Sequence, residues 1–163
     1  MPFVPFVPAA RPKPTHAPNL KLLYVEDEDT NWELTANELS RDFTVVRARN
    51  AREAFEQINR EKFQLVLMDI QLSGSDLDGI QITQIWRGKF DGIMPDYARK
   101  TRQVEEPIVF VTAYSARYNK AALVAAGGDE MTTKPVSFTT LKLLLSRLLM
   151  RSAAQASASA ATR

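Results

Sequence analysis

The chain contains no cysteine, which excludes a disulfide scaffold, thiolate zinc sites and cysteine nucleophiles. Its single histidine, His16, lies in a proline-rich terminal stretch, which argues against a Ser-His-Asp hydrolase. No apolar stretch approaches the roughly 18 residues needed to cross a bilayer. The opening MPFVPFVPAARPKP does not read as a secretory leader. Prolines interrupt its apolar run, and its positive charges follow that run. The expectation is a soluble, cytoplasmic protein. Acid is also missing from both ends. Residues 1–19 carry Arg11 and Lys13, residues 151–163 carry Arg151 and Arg163, and neither stretch holds a carboxylate. Of 21 basic and 19 acidic residues, removing those four leaves 17 against 19, so residues 20–150 are mildly acidic despite an overall charge of +2. This distribution disfavours direct nucleic-acid binding, for which a basic patch is the usual footprint.

What is present suits one folded domain. The chain has 163 residues, of which 45% are hydrophobic, enough for one core and too few for two secure ones. The expected division is a proline-rich tail over residues 1–19, a domain over 20–150 and an Ala/Ser-rich tail over 151–163. Six of the nine prolines fall in the first tail, which repeats Phe-Val-Pro. It reads as an extended appendage, with Phe3 and Phe6 available as docking side chains. The last tail reads as frayed helix or disordered chain.

Between the tails, strand-like and helix-like segments alternate. Leu20–Val25, Phe43–Ala48, Leu65–Met68, Ile108–Val111 and Glu130–Thr133 read as strands. Thr30 with Glu33 has the spacing of a capping box, and Asn50 with Glu53 has capping spacing as well. Ala116–Ala126 reads as a helix closed by Gly127, and Ser137 as the N-cap of a last helix with Phe138, Leu141, Leu144, Leu145 and Leu148 inward. Five βα units favour a parallel sheet covered on both faces. The Arg87–Pro107 connection is long and carries Gly88, Gly92 and Pro95, a composition typical of functional or mobile loops.

In open parallel sheets the site lies at the carboxyl ends of the strands. There this chain places Glu26, Asp27, Glu28 and Asp29, then Asp69, Thr112 and Lys134. Each has an ordinary reading: acids before a helix complement its macrodipole, and Asp69 can start a turn. Thr112 suits a strand, and Lys134 suits a solvated loop. Their joint occurrence at successive strand ends is what those readings explain poorly. Crowded carboxylates repel one another unless a cation joins them. Oxygen-only ligands select a hard ion such as Mg²⁺. A carboxylate is a competent nucleophile towards phosphorus, and an ammonium and a hydroxyl suit the charge that builds on phosphoryl oxygens. The cluster reads as a phosphoryl acceptor.

The segments LKLLYVEDEDTNWEL, FQLVLMDIQLSGSDLDGI, PIVFVTAYS and GGDEMTTKPVSF occur in the order and spacing of one family. Together they resemble the receiver domains of bacterial two-component response regulators. The resemblance implies a flavodoxin-like, doubly wound sheet of five parallel strands in the order 2-1-3-4-5. It implies that Glu26 and Asp27 hold Mg²⁺ with Asp69 and the backbone carbonyl of Gln71. Asp69 would be the phosphoacceptor, Thr112 and Lys134 its partners, and the peptide before Pro135 cis. The donor would be a histidine kinase or histidine phosphotransfer protein. The output would pass to a protein target at the face of helix four, strand five and helix five.

Several positions depart from the family pattern. Ser73 replaces the common proline after the aspartate, and Asp78-Gly79 is the match for the start of helix three. Met131 stands at the usual aromatic position, where a methionine can repack in response to a nearby change. Tyr114, two residues after Thr112, is bulky enough to shield an acyl phosphate from water. No segment after residue 150 has the length of a DNA-binding output domain, so the expectation is a stand-alone receiver or a fragment of a larger protein. The alternative is a pseudo-receiver that works without phosphate, suggested by Met131 and the lengthened loops. A Mg²⁺-dependent aspartate phosphatase would need a second acid two residues after Asp69, where this chain has Gln71. A phosphoacceptor domain is therefore expected, not a turnover enzyme.

Overall fold

The structure is a computed structural model and describes residues 20–113 and 117–162. The Phe-Val-Pro tail, Tyr114 and the proposed start of helix four at Ala116 lie outside the described residues. The order of elements is β1 (Lys21–Val25), α1 (Asp29–Leu39), β2 (Thr44–Ala48), α2 (Ala51–Arg60), β3 (Leu65–Asp69), α3 (Gly79–Trp86), β4 (Ile108–Thr112), α4 (Lys120–Ala126), β5 (Glu130–Thr133) and α5 (Phe138–Ala161). The strands form one parallel sheet, as the alternating pattern predicts, in the order β2-β1-β3-β4-β5 that the family resemblance implies.

Both faces of the sheet are buried, which is why β3 and β4 read as unbroken apolar runs rather than alternating ones. On one face, Leu23, Val25, Val66, Met68 and Phe110 pack with Phe55, Ile82 and Trp86 of α2 and α3. On the other, Leu22, Tyr24, Leu67, Val109 and Val111 pack with Leu39, Leu141, Leu145 and Leu148 of α1 and α5. Register then fixes the site. Val25 pairs with Met68, Asp69 with Val111 and Thr112 with Thr133, so the residues following each strand emerge along one edge.

Local chemistry sets most helix ends as expected. Asn50 accepts from the Glu53 N–H at 3.0 Å, Ser137 accepts from the Thr140 N–H, and Gly127 closes α4 at φ 111°. Helix α1 differs. Its N-cap is Glu28, whose side chain accepts from the Thr30 N–H, so the Thr30–Glu33 spacing is not its capping box. The reciprocal box belongs to α3. There Asp78 accepts from the Gln81 N–H, and the Gln81 side chain accepts from the Asp78 N–H. The next residue must be glycine, because a Cβ on Gly79 would lie 2.1 Å from the Asp69 carbonyl oxygen. Helix α3 thus starts directly on the backbone of the candidate nucleophile.

Two segments are more regular than expected from the sequence. Residues 151–161 continue α5 as exposed helix, in keeping with the high helix propensity of alanine. The Arg87–Pro107 connection contains a 3₁₀ turn at Asp96–Ala98 and buries Ala98 and Val104 in the α2–α3 face of the core. Arg87 and Arg102 secure it by donating to backbone carbonyls of Val104, Glu106 and Gly127, and of Ile58 and Glu61. It is a packed strap, not a loose loop.

Candidate functional site

Glu26 follows β1 and is fully buried, Asp69 ends β3 with 5% of its surface exposed, and Thr112 ends β4 with 1% exposed. Lys134 follows β5, and its backbone N–H donates to the Thr112 carbonyl at 2.9 Å. That bond holds the lysine stem against the end of β4. The Lys134 ammonium donates to Glu26 Oε2 at 2.9 Å and to Asp69 Oδ2 at 3.1 Å. Four of the residues singled out in the sequence therefore stand together on the edge that the strand pattern points to. Gln71 joins them through its N–H, which donates to Asp69 Oδ1 at 3.3 Å. Asp27 is half-buried and accepts from the Ser73 N–H at 3.0 Å, tying the loop after β3 to the loop after β1.

Glu28 and Asp29 separate from this group. Glu28 caps α1, and Asp29 points to Arg47 and Arg49, which hold its carboxyl below the usual aspartate range. The macrodipole role suits these two acids, whereas Glu26 and Asp27 belong to the site. Arg47 is a site residue that reading Phe43–Ala48 only as a strand overlooks. Its guanidinium donates to the carbonyls of Glu26 and Asp27 at 3.1 and 3.2 Å and lies 5.4 Å from the centre of the Trp32 ring. An arginine inside an apolar strand was the available signal.

Electrostatics leaves the site short of positive charge. Burial raises the pKa of Asp69 to about 7, with Glu26 as the next contributor, against the opposing pull of Lys134. Burial also works against the Lys134 ammonium, but its bonds to Glu26 and Asp69 outweigh that and hold its pKa above the ordinary lysine value. Glu26, Asp27 and Asp69 each offer a carboxylate oxygen, all within 4.8 Å of one another. This all-oxygen set, with an excess of carboxylate over ammonium, fits a hard divalent cation.

A parallel sheet in this order, with acids after β1 and β3, a hydroxyl after β4 and a lysine after β5, is the architecture of a receiver domain. The receiver domain of NtrX from Brucella abortus has the same frame, with a TM-score of 0.66 and 25% identity over 80% of this chain and 98% of that one. The chain belongs to the response regulator receiver domain family, whose model matches residues 22–146. The transcriptional regulatory protein YrkP of Bacillus subtilis is 32% identical over 118 residues, 72% of this chain and 44% of that protein. The response regulator protein PilR of Pseudomonas aeruginosa is 33% identical over 131 residues, 79% of this chain and 26% of that protein. The chain thus spans less than half the length of these relatives. Receiver domains bind Mg²⁺ at an acidic pocket, and Glu26, Asp27 and Asp69 form a cluster able to hold a metal ion here. Receivers of this family interact with histidine kinases, and a sensor protein, GacS of Pseudomonas syringae, is 32% identical over 72% of this chain and 12% of its own length. Among the described residues, no helix is long and apolar enough to cross a membrane.

Proposed function

We propose that this receiver is switched by phosphorylation of Asp69. The observation that carries the reading is the placement of Lys134 between Glu26 and Asp69 in a pocket with excess carboxylate. An Asp69 oxygen attacks the phosphorus of a kinase or phosphotransfer-protein phosphohistidine. The O–P bond forms, the P–N bond breaks, and the electron pair leaves with the imidazole nitrogen. Mg²⁺ held by Glu26, Asp27, Asp69 and the Gln71 carbonyl would neutralise carboxylate and phosphoryl charge. Lys134 already lies within bonding distance of Asp69, and it would donate to a phosphoryl oxygen after transfer. The buried Thr112 hydroxyl, at the end of the neighbouring strand, would donate to another.

With Gln71 two residues after Asp69, the site lacks the acid that a phosphatase uses to protonate its leaving group, so we read it as an acceptor rather than a turnover enzyme. A donor of the histidine-kinase type implies a cytoplasmic setting. The output would pass through protein contact at the α4–β5–α5 face, where Val124 and Leu143 are exposed apolar side chains. Incubation with Mg²⁺ and acetyl phosphate tests the proposal. The expected result is one added phosphoryl group by intact mass, lost in Asp69→Asn and on chelation. No mass gain in the wild type, beside a control receiver that gains it, would overturn the reading in favour of a receiver working without phosphate.

A further inference from the structure

Tyr24 lies in the buried part of β1 beside Leu22, Leu23 and Val25, yet it brings a hydroxyl to the buried edge of the site. Its side chain has no exposed surface, and Oη donates to Glu26 Oε2 at 2.9 Å. Residues two apart on a strand share a face, so the phenol is placed where the carboxylate comes back towards the sheet. The same Oε2 accepts from Lys134, while Oε1 accepts from the Glu28 N–H at 3.1 Å. Thr35, buried on α1, lies beside the phenol, and the Trp32 ring of the same helix packs against Tyr24 at 6.0 Å between centroids. A chain of bonds therefore runs from Tyr24 through Glu26 and Lys134 to Asp69. Glutamate has one more rotatable bond than aspartate, so more side-chain freedom must be removed to hold its carboxylate in one place.

We propose that Tyr24 is a positioning residue of the metal site: its hydroxyl clamps the longer Glu26 side chain in the one orientation in which Glu26 meets a divalent cation. This rests on the reading that Glu26 is a metal ligand. Removing a group that orients a ligand commonly weakens metal binding by roughly tenfold or more. Tyr24→Phe deletes only the hydroxyl and keeps the ring.

Mg²⁺ titration followed by tryptophan fluorescence, repeated with Mn²⁺ by counting the free ion by electron paramagnetic resonance, should show Tyr24→Phe binding roughly tenfold more weakly than wild type. In a Glu26→Asp background, where the shorter side chain no longer reaches the phenol, adding Tyr24→Phe should change the Kd by less than about twofold. Equal affinities for wild type and Tyr24→Phe would overturn the inference while leaving the metal site standing. The same loss in both backgrounds would also overturn it, because Tyr24 would then be acting through packing. Wild-type protein that binds neither ion would remove the metal-site reading and the inference together. A measurement on unmutated protein guards against a misfolded variant: with ¹³Cζ-labelled tyrosine, the Tyr24 resonance should move during the Mg²⁺ titration with the same Kd, and a static resonance would overturn the proposal.

Discussion

Arg87 and Lys134 are both cations set into the interior among carbonyls and carboxylates, each with 15% of its side chain exposed. Their surroundings are opposite in charge balance. Arg87 faces one carboxylate, Asp129, and spends its other donors on the carbonyls of Val104, Glu106 and Gly127. Asp129 in turn accepts the Ile108 N–H at 2.8 Å, so charge and hydrogen bonds close on themselves. Lys134 faces two carboxylates, with a third beside them. A balanced buried network fixes structure. The unbalanced one holds a surplus of negative charge that a cation, and then a phosphoryl group with its own partners, can satisfy.

The largest effect is expected from breaking the balanced network. Arg87→Met would leave the carbonyls of Val104, Glu106 and Gly127 without the guanidinium and Asp129 without its cation, and urea denaturation should show a loss of about 3 kcal/mol. A loss below about 1 kcal/mol would mean that the strap is held by Arg102 and apolar packing without need of Arg87. Relieving the unbalanced site should have the opposite sign. The folded-state pKa of Asp69 is raised from 3.8 to about 7. Its protonation therefore favours the fold at low pH, and that contribution is lost as pH rises through 7. Without metal, Asp69→Asn should be more stable than wild type by about 2 kcal/mol at pH 8, a part of the full linkage because Glu26 and Lys134 share the titration. The gain should shrink towards pH 4, and Mg²⁺ should reduce it at pH 8. An advantage that is independent of pH would show that charge is not the cause.

The smallest effect sharpens the comparison by removing burial. Arg99 and Asp96 pair at 3.3 Å on the same connection, but both are largely exposed. Exposed pairs of this kind contribute little. Arg99→Ala should leave the melting midpoint unchanged, and a clear drop would show that the strap depends on its surface charges as well.

Particular residues show where the sequence was legible. Asp69, Thr112 and Lys134 were readable because strand-end position is set by local pattern, and parallel strands deliver their ends to one edge. Gly127, Asn50 and Ser137 were readable because a cap satisfies its own helix. Glu28 was not, since the start of α1 is shared with the loop that carries the acidic pair. Gly88, Gly92 and Pro95 suggested a functional or mobile connection. The bonds that pin it run from Arg87 and Arg102 to carbonyls as far as 44 residues away in sequence, and no local signal announces them. Tyr24 had the same difficulty: in a buried strand it reads as bulk, and its hydroxyl gains meaning only from Glu26 and Lys134.

By itself, the sequence determined the strand and helix alternation, the parallel sheet covered on both faces that follows from it, and the acids, hydroxyl and lysine at the strand ends. These depend on periodicity and on chemistry carried within a few residues. The family resemblance had already singled out Glu26 and Asp27 among the four consecutive acids, and only the tertiary structure decided that Tyr24 and Arg47 hold them. It also decided that the long connection is a strap. Those outcomes depend on how far buried charges are from partners on other elements, and burial and charge balance exist only once the chain has folded.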